Sequence, residues 1–219
     1  MVNLSNRYKV IDCGLTRYGD NYELQKKLFN NRIEGGGEDT LLVTRHKPVV
    51  TIGKSGSEED LLINRDALIG HGVEFVEISR GGGITYHGPG QLVLYPIFDL
   101  RKYGKDLRDF VRRLGLVAER VVESFGLSVE FREDEEIGLW VRGEAGKKLA
   151  SLGRRVKKWY TMHGIALNVS LNKDKARLIR PCGVGGAELV SIDDFVEDVE
   201  LTEVKELLLE KFAFEFSEG

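Results

Sequence analysis

Cysteine is nearly absent from this 219-residue chain, which holds only Cys13 and Cys182. Two thiols so far apart, with no C-x-x-C spacing, exclude a disulfide framework and a cysteine zinc cage, and they fit a reducing cytoplasm. Proline occurs four times, methionine and tryptophan twice each, and glutamine only at Gln25 and Gln91. Long apolar runs are missing as well. The opening seven residues contain no signal-peptide core, and the run from Leu92 to Phe98 is interrupted by Pro96, so neither secretion nor a membrane span is expected. Nor does charge of one sign dominate: 32 basic against 35 acidic residues leave a net −3. That balance gives no overall case for nucleic acid, and any charged partner must be met by a local patch.

Charged residues of both signs are plentiful, 31% of the chain beside 42% apolar, which predicts a globular protein with a densely charged surface. Together with scarce glutamine, this composition accompanies ion-pair networks in hot-adapted proteins. At this length one unit spanning residues 1–219 is expected. Apolar spacing predicts an amphipathic helix over Tyr18 to Ile33, stopped by Gly35-Gly36-Gly37, and a longer one from an Asp106 N-cap to Phe125, stopped by Gly126. A last helix is expected from a Thr202 cap, with Val204, Leu207, Leu208 and Phe212 on one face. Strand-like runs cover 40–44, 49–52, 73–78, 91–100, 128–132, 137–142, 148–158 and 160–169. Helices and strands are segregated, which predicts an α+β fold with a mixed, largely antiparallel, meandering sheet and flanking helices.

The densest local signal is Arg80-Gly81-Gly82-Gly83-Ile84-Thr85-Tyr86-His87-Gly88-Pro89-Gly90-Gln91. Five glycines in eleven positions let backbone amides approach a ligand closely, or make an elaborate turn between two strands. The G-x-x-x-x-G-K-[ST] order of a P-loop is absent, as is a dinucleotide G-x-G-x-x-G opening a long helix. His87 reads equally as a structural histidine or as a functional one held between Tyr86 and a Gly-Pro-Gly turn. Two further blocks are Lys147-Lys148-Leu149-Ala150-Ser151-Leu152-Gly153, followed by His163-Gly164-Ile165-Ala166-Leu167-Asn168, and Pro181-Cys182-Gly183. Proline and glycine around Cys182 suit a thiol presented at a turn. Cys13, beside Ile11, reads as a small buried hydrophobe. The spacings of Cys182, His87 and His163 match no zinc-ligand pattern.

Arg80 to Gln91 resembles the R-G-G-x-x-T-Y-H-G-P-G-Q signature of the lipoyl(octanoyl) transferase family at every fixed position. The lysine before S-L-G, the H-G-x-A-L-N strand and the P-C-G segment resemble its other motifs, so the resemblance spans roughly residues 18 to 192. It implies the fold of the biotin and lipoate protein ligases. It implies that Arg80 through His87, Ser151 to Gly153 and Gly164 to Ala166 hold the substrate. It also implies Cys182 as nucleophile and Lys148 as the residue that raises its thiolate fraction. Lys147, its neighbour, would point to the opposite face of a strand; the role of His163 stays open.

The implied reaction moves an octanoyl group from octanoyl-acyl carrier protein through Cys182 to a lysine of a lipoyl domain. The implied acceptors are the lipoyl domains of 2-oxoacid dehydrogenase complexes and the glycine cleavage H protein. A thioester is already activated, so no ATP, metal or organic cofactor is required. Backbone amides near Ser151 to Gly153 are the candidate oxyanion donors. The rival enzyme class is an ATP-dependent lipoate- or biotin-type ligase, which needs no cysteine; the biotin ligases' G-R-G-R-x-G-R loop is absent. A non-catalytic acyl-protein binding module is the other alternative. Both implied partners are small acidic proteins, and Arg142, Lys147, Arg154, Arg155, Lys157 and Lys158 form the candidate basic patch to meet them, or else merely a solvated strand edge.

Overall fold

A computed structural model describes residues 7–133, 137–181 and 186–217. The Cys182 position lies outside the described residues. In chain order the elements are β1 (Lys9–Thr16), α1 (Tyr18–Ile33), β2 (Thr40–His46), β3 (Val49–Ile52), α2 (Arg65–Gly70), β4 (Glu74–Glu77), β5 (Ile84–His87), β6 (Gln91–Ile97) and α3 (Leu107–Glu123). They continue with β7 (Val129–Arg132), β8 (Gly138–Val141), β9 (Lys147–Leu152), β10 (Arg155–Lys157), β11 (Tyr160–Met162), β12 (Ile165–Asn168), α4 (Lys173–Ala176), β13 (Glu188–Leu189) and α5 (Leu201–Ser217).

The principal sheet runs β1-β2-β6-β12-β9-β8-β7, with β13 added to β9. From β2 to β7 every pairing is antiparallel, whereas β1 joins β2, and β13 joins β9, in parallel. A second sheet has the order β4-β3-β5, and β10 and β11 make a hairpin. This is the expected α+β arrangement, though the parallel members interrupt a simple meander. The principal core forms where α3 buries Phe110, Leu114, Val117 and Val121 alongside Val204, Leu208, Phe212 and Phe216 of α5. Each such side chain contributes about 1.5–3 kcal/mol by leaving water. Asp106 caps α3 as predicted, its carboxylate accepting from the amides of Arg108 and Asp109.

Several boundaries differ from the sequence expectation. The run 148–158 is two strands, because the chain leaves the sheet at Gly153 and Arg154. The run 160–169 is also two, broken where His163 adopts φ 67°. Lys158 and Trp159 (φ 51° and 71°) form the two-residue tip of the β10–β11 hairpin, a turn usually built from glycine or asparagine. The strand from Gln91 ends at Ile97, and Leu100 enters a single helical turn. Thr202 sits inside α5, which begins at Leu201, so it is not the cap.

A buried ionic cluster fastens α1 to the sheet. The Asp39 carboxylate is fully buried and accepts from Arg32 (2.8 Å), Lys102 (3.1 Å) and the Asp99 amide (3.0 Å). The Arg32 guanidinium also lies over the Tyr160 ring. Removing one member of a buried pair strands the other's charge, at a cost of about 3–5 kcal/mol. Asp39→Asn should therefore lower unfolding free energy in urea by about 3 kcal/mol or more. A loss below about 1 kcal/mol would mean that Arg32 recovers its hydration.

Candidate active site

The glycine-rich segment is positioned by the small sheet. β5 pairs with β3 from Ile84 against Ile52 to His87 against Val49, and the amides of Gly53 and Lys54 donate to the carbonyls of Gly83 and Arg80. A side chain at Gly53 would put its Cβ 2.3 Å from the Gly82 carbonyl oxygen, so glycine is required there. Arg80 is buried, donating to Thr51 O (3.0 Å) and Thr51 Oγ1 (3.1 Å). Its stem passes over Gly153, where an added Cβ would approach Arg80 Cδ to 2.8 Å. The loop is thereby clamped between β3 and the end of β9.

Between this loop and the principal sheet lies a cavity of about 370 Å³. Its loop wall is Arg80, Gly82, Gly83, Ile84, Thr85 and His87, and its sheet wall includes Lys148, Ser151, Leu152 and Gly153 of the β9 side and Gly164, Ile165 and Ala166 of the β12 side. Among the described residues, the sequence-predicted site residues line this one space with two exceptions, and Cys182 lies outside the described residues. Gly81 is absent from the lining; its amide turns to Arg154 O (3.0 Å). Tyr86 is absent because strand residues alternate in direction: Thr85 and His87 face the cavity, while Tyr86 packs with Val50, Leu68 and Val73. Burial raises the Tyr86 phenol pKa to about 12. The anticipated oxyanion donor at Gly153 is already engaged, its amide donating to Gly164 O (2.9 Å).

Lys148 is fully buried, whereas Lys147 is half-exposed and paired with Glu188 at 2.5 Å, the alternation expected of neighbours on a strand. The Lys148 Nζ donates to Ile137 O (2.8 Å) and lies 4.9 Å from the Trp140 ring centroid. The β8–β9 ladder slips one residue here, pairing Leu139 with Ala150 but Trp140 with Lys148. Such irregularities re-aim side chains beside functional sites. Gly138 makes the room: a Cβ there would stand 2.5 Å from Lys148 Cε. The chain that follows residues 182–185 returns to the same place, since β13 sets Leu189 opposite Lys148 and Val190 N donates to Lys148 O.

Sequence reasoning missed Tyr18, Ser55, Val93, Tyr95 and Ile137 of the lining. They come from distant elements, and no local motif marks them. Tyr18 stacks on His87 with centroids 5.7 Å apart. Behind it, His46 Nε2 pairs with the Tyr95 hydroxyl (2.9 Å). Asn168 donates to Val190 O, Gln91 donates to Asn168 Oδ1, and Gln91 Oε1 therefore accepts from His87 Nδ1 (2.6 Å). This relay fixes the His87 tautomer and leaves Nε2 with its lone pair. His163 lines the cavity too, and its Nε2 is buried with no hydrogen-bond partner among the described residues.

Burial lowers the pKa of His87 to about 4 and those of His46 and His163 to about 3; the neighbouring Arg80 charge adds to the shifts at His87 and His163. All three are neutral at pH 7. Their unfolded values lie near 6.5, so between about pH 6.5 and 5 the unfolded chain takes up protons that the folded chain refuses. Stability should then fall as pH drops, by up to about 1.4 kcal/mol per pH unit for each histidine. Urea unfolding from pH 7 to 5 checks this, and His87→Gln should flatten the slope by about a third. A pH-independent midpoint over that range would contradict the buried neutral assignment.

Burial, followed by the nearby Asp12 charge, raises the pKa of the half-buried Cys13 thiol, which packs against the cluster of Leu42 and Val93 and does not itself line the cavity. Among the described residues no group of three or more His, Cys, Asp or Glu is placed to hold a metal, and no helix is long and apolar enough to cross a membrane.

Residues 17–213 match the family described as lipoyl protein ligase A/B catalytic domain. The chain belongs to that family. An octanoyltransferase of Clostridium kluyveri is 36% identical over 202 residues, covering 92% of this chain and 85% of that protein. An octanoyltransferase of Caldicellulosiruptor saccharolyticus is 42% identical over 180 residues, covering 82% and 75%. Among solved structures, a lipoate-protein ligase A bound with ATP superposes with a TM-score of 0.70 at 18% identity, covering 96% of this chain and 85% of that one. A biotin protein ligase from Aquifex aeolicus in complex with biotin and ATP gives 0.57 at 13%, covering 95% and 70%. At such identities these two show that this family member shares the fold of the lipoate and biotin ligases.

Proposed function

We propose that the chain is an octanoyltransferase of lipoate biosynthesis that works through a covalent acyl-enzyme. The Cys182 thiolate attacks the thioester carbonyl of octanoyl-acyl carrier protein; a new C–S bond forms, the carrier's C–S bond breaks, and the carrier leaves as its thiol. A lysine amine of a lipoyl domain then attacks, forming the amide and returning Cys182 as thiol. Lys148 stabilises the thiolate and exchanges the protons that both steps move. The acyl chain lies along the cavity between Thr85 on the loop side and Val93 and Ala166 on the sheet side. The reaction takes place in the cytoplasm, where free thiols persist.

The observation that carries this reading is a fully buried lysine in the wall of a cavity of about 370 Å³, in a chain whose relatives are octanoyltransferases. Mixing the protein with octanoyl-acyl carrier protein and no ATP should add the mass of one octanoyl group to the peptide containing Cys182. Addition of a lipoyl domain should discharge it. Transfer that instead requires free octanoate and ATP would establish the ligase route.

A further inference from the structure

The sequence placed six basic residues in one candidate patch, and the structure divides them. Lys147 is paired with Glu188, Arg142 with Glu130, and Arg155 is half-buried, donating to Ser79 Oγ (2.6 Å) beneath the hairpin. Arg154, Lys157 and Lys158 remain exposed, and none of them forms an ion pair among the described residues. Two cations from elsewhere join them, also exposed and without an ion pair among the described residues. Lys54 follows Gly53 and its amide donates to Arg80 O, next to the Gly81 amide bonded to Arg154 O. Lys105 lies over the ring of Trp159, 5.2 Å from its centroid. Trp159 itself is 38% exposed, one of the few large apolar side chains left in solvent. Lys105, Lys158 and Trp159 all hold positive φ without being glycine, and the Trp159 carbonyl accepts from Leu100 N (2.8 Å), which fixes the tip. The result is a rigid surface of positive charge around one aromatic anchor, in a chain whose acids outnumber its bases.

We propose that this hairpin surface docks the acidic carrier protein that delivers the acyl thioester. The proposal rests on the acyl-transfer reading above and adds to it the place where the donor binds. Position favours the donor over the acceptor. Lys148 and Leu152 are four residue steps apart along extended strand, about 13 Å, and the hairpin continues beyond that end. A partner held there reaches the reacting atoms only through a long flexible arm, such as one that carries a thioester. The four-carbon stem of an acceptor lysine is too short for that span. The hairpin is also bonded to Gly81, so docking occurs against the loop that walls the cavity.

The test compares the double variant Lys157→Glu, Lys158→Glu, and separately Trp159→Ala, with the wild type. Acylation is measured from octanoyl-carrier protein and from a small carrier-free octanoyl thioester at two salt concentrations, and discharge to a lipoyl domain is measured apart. The charge reversal should reduce carrier-dependent kcat/KM at least tenfold at low salt and shallow its salt dependence. Carrier-free acylation and discharge should stay within about twofold of wild type. Trp159→Ala should lower carrier-dependent kcat/KM without changing the salt slope. Equal falls with both donors, no fall with either, or a defect confined to discharge would each overturn the proposal. A wild type that acylates from neither donor would instead refute the acyl-transfer reading itself.

Discussion

Cys182→Ala should abolish octanoyl transfer, reducing the rate by at least about a thousandfold, because the substitution removes the sulfur proposed to attack the thioester. Cys13 cannot substitute, since its thiol is held protonated by burial and is absent from the cavity lining. The measurement is transfer from octanoyl-carrier protein to a lipoyl domain, with Cys13→Ala as the control that keeps wild-type activity. Intact-protein mass spectrometry should find no acyl adduct on the alanine variant, and its melting temperature should match the parent. Turnover near the wild-type rate would end the covalent mechanism and leave direct attack of the lysine amine on the donor thioester.

Lys148→Met should slow acylation by about 10²–10³-fold, within the range typical of losing a positioned proton-transfer group. Methionine keeps an unbranched stem beside Gly138, where alanine would leave a void. The variant should also raise the pH at which Cys182 reacts with a small alkylating reagent if Lys148 stabilises the thiolate as proposed. Lys148→Arg separates two contributions. Arginine keeps the charge but cannot give up a proton, so near-normal thiol reactivity with slow turnover would assign Lys148 to proton transfer. An unchanged thiol titration in Lys148→Met would remove thiolate stabilisation from its role.

Much of this architecture was legible because local spacing and packing agreed. The α3 period and its Asp106 cap, and the alternation of Lys147 and Lys148, depend on neighbours in sequence and appeared as expected. β1 was not foreseen, since its Asp12-Cys13-Gly14 interior breaks any alternation and its support is a parallel pairing with β2 across α1. β5 was hidden inside the glycine signature, and its pairing with β3 is what turned Tyr86 away from the cavity. The two-residue tip at Lys158 and Trp159 carries no turn chemistry at all; contacts to Leu100 and Lys105 hold it. Likewise Tyr18 and Tyr95 entered the site through the packing of α1 and β6, which no short motif records.

Four of the cavity-lining positions are glycines, Gly82, Gly83, Gly153 and Gly164. At Gly164 a Cβ would stand 2.0 Å from Leu94 O, and at Gly153 one would meet the Arg80 stem at 2.8 Å. At these two points the bore is therefore held by main chain locked against its neighbours, and ordinary substitution there disturbs the wall before it resizes the space. On the acyl-transfer reading, drift in acyl preference among descendants of this sequence, and any laboratory attempt to redirect it, is channelled to lining side chains that can change size without moving the backbone, such as Val93.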